Sequence, residues 1–221
     1  MQQRTEPKVL GRKSFLRISA GAAVAGGLLL TGKTPAFAQE RQTAAEAWVT
    51  ANRHNLPQSY RSITTYSLEY RREIYRALPS ATRGKLWREH LDQYRAAHPN
   101  LTQEQQIVLD RLQERFSDDS TFDSEQAARP SVRHEINELQ ESVIAAFGQE
   151  EAYTVVGVLG PPRERSRDYG AAAPRCYCHA GSIIDSCSSG DFCYSGASCV
   201  TTNSGCGFAW REKCNGLCYP W

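Results

Sequence analysis

All 8 cysteines of this 221-residue chain are crowded towards its C-terminus, as Cys176, Cys178, Cys187, Cys193, Cys199, Cys206, Cys214 and Cys218, and the residues before them hold none. Two parts of one polypeptide must therefore solve the folding problem by different physics. A stretch as short as 175–221 buries too little apolar surface to offset its backbone entropy, and cross-links that restrict the unfolded chain are the usual remedy. The spacing C-x-C-x8-C-x5-C-x5-C-x6-C-x7-C-x3-C leaves the connectivity open, but an even number of cysteines in an exported chain predicts that all are bridged. Gly181, Gly190, Gly196, Gly205, Gly207 and Gly216, set among Ser, Thr and Asn, predict tight turns between short strands. Zinc ligation is the rival use of the cysteines. It fits poorly, because C-x-C and C-x3-C lack the C-x2-C knuckle and His179 is the one histidine nearby. A bridged sulfur also has no thiolate to offer for catalysis. No metal and no cofactor is expected.

Disulfides need an oxidising compartment, so the chain is expected to leave the cytosol. The N-terminus agrees. Residues 1–38 read as an export signal: Arg4, Lys8, Arg12, Lys13 and Arg17 stand against Glu6 alone, an apolar run follows from Ile18 to Leu30, and Thr34-Pro35-Ala36-Phe37-Ala38 places cleavage by a signal peptidase after Ala38. The apolar run falls short of the roughly 20 residues that a membrane span requires, so no stable transmembrane anchor is expected. Gly11-Arg12-Lys13-Ser14-Phe15-Leu16-Arg17 looks like the twin-arginine export motif with Lys13 in place of its second arginine, a substitution that leaves general export open. A secreted, extracellular location follows.

The formal net charge of +2 resides in that leader. In the cysteine segment Arg175, Arg211 and Lys213 balance Asp185, Asp191 and Glu212, and the long middle of the chain is acidic. No basic stripe is available for a phosphate backbone, which argues against nucleic acid as a partner. No Ser/His/Asp, paired-carboxylate or phosphate-loop constellation stands out, so the chain is not expected to be an enzyme. His54, His90, His98 and His134 stand singly, without the i, i+4 pairing of a zinc site, and read as solvated or capping.

Residues 39–160 read as an all-α domain and a possible pro-region. Thr43-Ala44-Ala45-Glu46 has the capping-box pattern and predicts a helix that stops before Pro57. Tyr66, Tyr70, Ile74 and Leu78 form one stripe of a second helix, which ends at Pro79. Ser80 can cap a third, with Leu86, Trp87, Leu91 and Tyr94 on its apolar face and Pro99 closing it. Thr102 and Gln105 make a second capping box, opening a fourth helix that buries Val108, Leu109, Leu112 and Phe116. After a polar loop over 117–130, the a/d spacing of Val132, Ile136, Leu139, Val143 and Phe147 predicts a fifth, with Gly148 at a left-handed C-cap. The run from Ala152 to Leu159 fits a short helix and a strand equally well, because its β-branched residues favour one and the preceding glutamates the other. Residues 161–174 lack apolar periodicity and are rich in proline and arginine, and they read as a flexible linker open to proteolysis.

The overall expectation is a mainly α N-terminal helical domain followed by a small disulfide-rich C-terminal module, 175–221, with short strands and turns. That module has more aromatic and aliphatic side chains than so short a cross-linked stretch can hide, and those left outside would form a docking face. Phe192, Tyr194, Phe208, Trp210 and Trp221 are the candidate target-binding residues, with Phe192 and Trp210 able to serve as contact or as core.

Phe192-Cys193-Tyr194-Ser195-Gly196-Ala197-Ser198-Cys199, then Gly205-Cys206-Gly207-Phe208-Ala209-Trp210, then Cys214-Asn215-Gly216, all following a C-x-C, resemble the fulvocin C-related family of cysteine-rich bacteriocins. Leu86-Trp87-x-x-His90-Leu91 and His98-Pro99-x-Leu101-Thr102 are similar to phrases in the helical region of the same family. The resemblance implies a secreted precursor whose C-terminal peptide inhibits competing bacteria through a cell-surface or membrane component. It places processing near Ala173, just before Pro174, with Arg163, Arg165 and Arg167 as alternatives. Two alternatives remain: a secreted and non-toxic disulfide-rich binding or inhibitor module, or an active helical domain with the cysteine segment as its stabilising tail.

Overall fold

The computed structural model describes residues 37–161, 175–184, 187 and 191–220. The signal-like segment before Phe37, the linker residues 162–174 with the processing candidate Ala173, and Trp221 lie outside the described residues. Seven helices, α1 (Phe37–Ala51), α2 (Tyr60–Ile63), α3 (Leu68–Ala77), α4 (Ser80–Ala97), α5 (Gln103–Ser117), α6 (Ser124–Ala127) and α7 (Pro130–Ala152), precede four short strands. The strands are β1 (Asp191–Tyr194), β2 (Thr202–Cys206), β3 (Glu212–Cys214) and β4 (Leu217–Pro220).

The long helices follow the apolar stripes. α5 begins at the expected capping box, with the Thr102 hydroxyl accepting from the Gln105 amide and the Gln105 side chain accepting from the Thr102 amide. It buries Val108, Leu109, Leu112 and Phe116, and α4 buries Leu86, Trp87, Leu91 and Tyr94. Gly84 on α4 lets the two helices close up, since a Cβ there would sit 2.5 Å from the Phe116 carbonyl oxygen. Helix α1 packs on α3, and α5 packs on both α4 and α7.

Three expectations about helix ends are corrected. The first helix is already under way at Phe37, so Thr43 lies inside α1 and not at its start, and Ala38 stands in its first turn. A T-x-x-E pattern caps a helix only where the preceding residues leave helical geometry. Ser80 is the first helical residue of α4, and the extended cap position belongs to Pro79. Gly148 does adopt a left-handed backbone (φ 75, ψ 165), but the chain re-enters helix and runs on to Ala152. The polar loop over 117–130 also carries structure: a 3-10 turn at Asp119–Thr121 and the short α6, both capped by aspartates.

The run that fits helix or strand is neither for most of its length. Tyr153–Gly157 forms one wide π-type turn, after which Val158 is extended. Burial decides it. Val155, Val156, Val158 and Leu159 are fully enclosed, so tertiary packing and not periodicity sets the conformation of this run.

In the cysteine module β1 pairs antiparallel with β4, in the register Phe192↔Tyr219 and Cys193↔Cys218, and β2 pairs with β3. Four disulfides join Cys176–Cys199, Cys178–Cys193, Cys187–Cys218 and Cys206–Cys214. Each contributes about 2–4 kcal/mol by restricting the unfolded chain. Helices and module close round a single core, in which Trp87, Tyr75 and Phe116 from the helices meet Ile184, Phe208 and Trp210 from the module.

Candidate functional site

Helix α3 is the element that reads the module. Its residues 71, 72, 75 and 76 fall on one side of the helix, and each spans the boundary between the N- and C-terminal parts of the chain or anchors its rim. Arg71 donates to the carbonyls of Leu159 and Pro161. Arg72 donates to the Tyr177 carbonyl at 3.2 Å. Arg76 donates to the Ser204 carbonyl at 2.9 Å and to the Thr202 hydroxyl at 3.1 Å. The Tyr75 hydroxyl donates to the Ala209 carbonyl at 2.9 Å and itself accepts from Trp87 Nε1 at 3.2 Å. Arg175 closes the edge as an ion pair with Glu46. Burial pulls the Arg72 guanidinium down to about 10, which leaves it charged at neutral pH, where it also lies over the Trp210 ring at 5.8 Å.

The module answers with one loop. Gly207, at φ 64, holds a backbone conformation that L side chains rarely adopt, with the Glu212 carboxylate against it, and leads into the buried turn. Phe208, Ala209 and Trp210 follow, all with 0% exposure. Trp210 meets Tyr75 edge to face at 5.3 Å and Trp87 at 6.1 Å, while Phe208 meets Phe116 at 5.7 Å. The indole Nε1 donates to the Gly157 carbonyl at 3.0 Å, so the wide turn after α7 supplies the acceptor. Ala209 (φ 49) and Trp210 (φ 55) both hold left-handed backbone, which costs an L residue about 1–2 kcal/mol each. Burial raises the Glu212 carboxyl above its usual range, against hydrogen bonds from Ser182 and the Phe208 backbone and the electrostatic pull of nearby His179 and Arg211.

Behind this contact sits a buried histidine. His90 Nε2 lies 3.0 Å from the Thr154 carbonyl and Nδ1 lies 3.3 Å from the Tyr60 hydroxyl. Those partners assign the Nε2–H tautomer, with Tyr60 donating to Nδ1. Burial pushes its pKa down to about 4, so the ring is neutral and braces the turn that receives Trp210.

The candidate target-binding residues divide. Phe208 and Trp210 lie in the core shared by helices and module, which for Trp210 is one of the two roles expected of it; counting apolar side chains within the module alone overlooks the helical surface that encloses them. Phe192 and Tyr194 lie on the β1–β4 ribbon at the surface, where Tyr219, its partner across the strands, joins them. The three rings have centroids 5.7–6.4 Å apart, and Tyr194 and Tyr219 remain 49% and 38% exposed. Trp221 lies outside the described residues. The sulfurs of Cys178, Cys187 and Cys193 come within 4.8 Å of one another because two bridges lie side by side, and each sulfur is already bonded to another. Arg71, Arg72, Tyr75 and Arg76 are missed by sequence reasoning. Three arginines beside an apolar stripe read as a solvated face, and only the carbonyls opposite them show otherwise.

No helix among the described residues is long and apolar enough to cross a membrane. The four disulfides belong to an oxidising setting. Comparison with protein-family models, with curated proteins and with solved structures finds no match to this chain.

Proposed function

We propose that this chain is an exported bacteriocin precursor of the fulvocin C-related kind, in which the disulfide-stapled segment 175–221 inhibits competing bacteria. The carrying observation is the module itself: a four-bridge scaffold that keeps an aromatic cluster of Phe192, Tyr194 and Tyr219 at its surface. The signal-like residues 1–38, with cleavage after Ala38, support delivery by the export machinery and a signal peptidase to the outside of the cell. The chain acts by binding and performs no reaction. Its target is a cell-surface or membrane component recognised by the aromatic cluster, because the module has no net charge with which to accumulate on anionic lipid, where each Lys or Arg contributes about 1 kcal/mol.

Growth inhibition by the oxidised chain, before and after cleavage within 162–174, tests this reading. Inhibition that survives raised salt and is lost in the Tyr194→Ala, Tyr219→Ala variant supports it. No inhibition by either form against a panel of bacteria sinks it.

A second reading has an observation of its own. Phe208 and Trp210 are enclosed by the helices, which favours a secreted binding or inhibitor protein that works as the intact chain. A chain made uncleavable by replacing Arg163, Arg165, Arg167 and 171–173 separates the two, since the precursor reading requires it to be inactive.

A further inference from the structure

We infer that the helical part is a non-covalent cap which retains the cysteine module after the chain between Pro161 and Arg175 is cut. Both ends of that segment are tied to the same helix. Arg71 holds the Pro161 carbonyl at 2.7 Å, and the neighbouring Arg72 holds the Tyr177 carbonyl at 3.2 Å. A cut between them removes none of these bonds. Nor does it touch the Phe208-Ala209-Trp210 plug, whose polar atoms are matched from two sides, by the Tyr75 hydroxyl on Ala209 and by the Gly157 carbonyl on Trp210.

The plug's backbone points the same way. Ala209 and Trp210 hold consecutive left-handed conformations, which L residues adopt only where surrounding structure over-determines them. The helical part supplies those surroundings. Separation exposes two aromatic side chains of the module together with Tyr75, Trp87 and Phe116, and lets the loop relax to commoner geometry. Cleavage and release are thus two separate steps. The regulatory meaning of this cap rests on the antibacterial reading, in which proteolysis alone leaves the module covered and some further event, such as binding of the target, must strip it.

The test places a recognition sequence for a site-specific protease within 162–174, cuts the oxidised, purified chain, and follows it by native gel filtration. Both fragments are expected in one peak at the mass of the uncut chain at micromolar concentration. Two separate peaks overturn the inference. Tyr75→Phe deletes the donor to Ala209 and is expected to raise the dissociation constant of the cut complex about tenfold, and an unchanged constant overturns the role given to the loop. Should that variant fail to fold, a dilution series of the cut wild-type chain decides alone, with a submicromolar constant expected and a weaker one contradicting the cap. Growth inhibition that rises with dissociation supports the cap as a restraint. Co-elution without inhibition by either form establishes the cap and counts against the antibacterial reading.

Discussion

Replacing Trp210 by alanine asks whether a residue of the cysteine module stabilises helices that precede it by more than a hundred positions. The indole is fully buried, and at about 25 cal/mol per Å² an aromatic side chain of about 200 Å² contributes roughly 5 kcal/mol of apolar transfer. It also makes two edge-to-face contacts, at 5.3 and 6.1 Å, and donates a hydrogen bond to the Gly157 carbonyl. Its left-handed φ of 55 remains unfavourable for alanine, so no strain is recovered. Large-to-small changes at such sites cost about 3–5 kcal/mol, and we expect about 4 kcal/mol. Urea unfolding of the oxidised chain, followed by far-ultraviolet circular dichroism, reads mainly the helices and therefore reads the coupling. Trp210→Phe is the companion: it keeps a ring but strips the Gly157 carbonyl of its donor, for about 1–3 kcal/mol. If the helical transition of both variants stays within about 0.5 kcal/mol of wild type, the range of an ordinary surface change, the shared core is refuted.

The Tyr194→Ala, Tyr219→Ala variant changes two exposed rings, so its stability is expected to fall by no more than about 1 kcal/mol while inhibition of sensitive bacteria is lost, and a growth assay beside the unfolding curve checks both. His90, held neutral with a pKa of about 4, takes up a proton far more readily when unfolded. Stability should accordingly be level above about pH 6.5 and decline below it by up to about 1.4 kcal/mol per pH unit until about pH 4. The decline should be absent from His90→Gln, whose unfolding curves across that range serve as the control, and an identical slope in both proteins removes His90 as the cause. Deleting bridges in pairs should follow the loop each closes: Cys176/Cys199, 23 residues apart, costs about 3.4 kcal/mol and Cys206/Cys214, 8 residues apart, about 2.5 kcal/mol in the chain-entropy account. Thermal unfolding of the two double-alanine chains orders them, and the reverse order counts against that account.

Helix α5 was legible because stripe and terminus agree: Thr102 and Gln105 cap where Val108 and Leu112 begin the apolar face; α4 was legible from its stripe alone, since its cap position falls to Pro79. The Thr43–Glu46 pattern misled because it is local, whereas a helix start depends on what the residues before it do. Residues 153–159 carry no periodic signal, since all their valines are buried and only tertiary packing selects the wide turn. The pairing of the cysteines was equally closed to inspection, because proximity in space has no trace in spacing along the chain. The aromatic surplus of the module was visible, but its destination was not. The module alone leaves Trp210 open between contact and core and Phe208 as a contact candidate, because the surface that covers them is written elsewhere, in Tyr75, Trp87 and Phe116. The arginines that frame that surface look solvated until the carbonyls of 159, 161, 177 and 204 are placed opposite them.

Native-state hydrogen exchange on the oxidised chain addresses the single core most directly. If helices and module are one cooperative body, the slowest amides of α4 and α5, those of Val155–Val158 and the Trp210 amide, which bonds to the Gly207 carbonyl, exchange with the same free energy and the same denaturant dependence. Exchange at Trp210 through an opening of markedly lower free energy, with the helices still fully protected, contradicts the account.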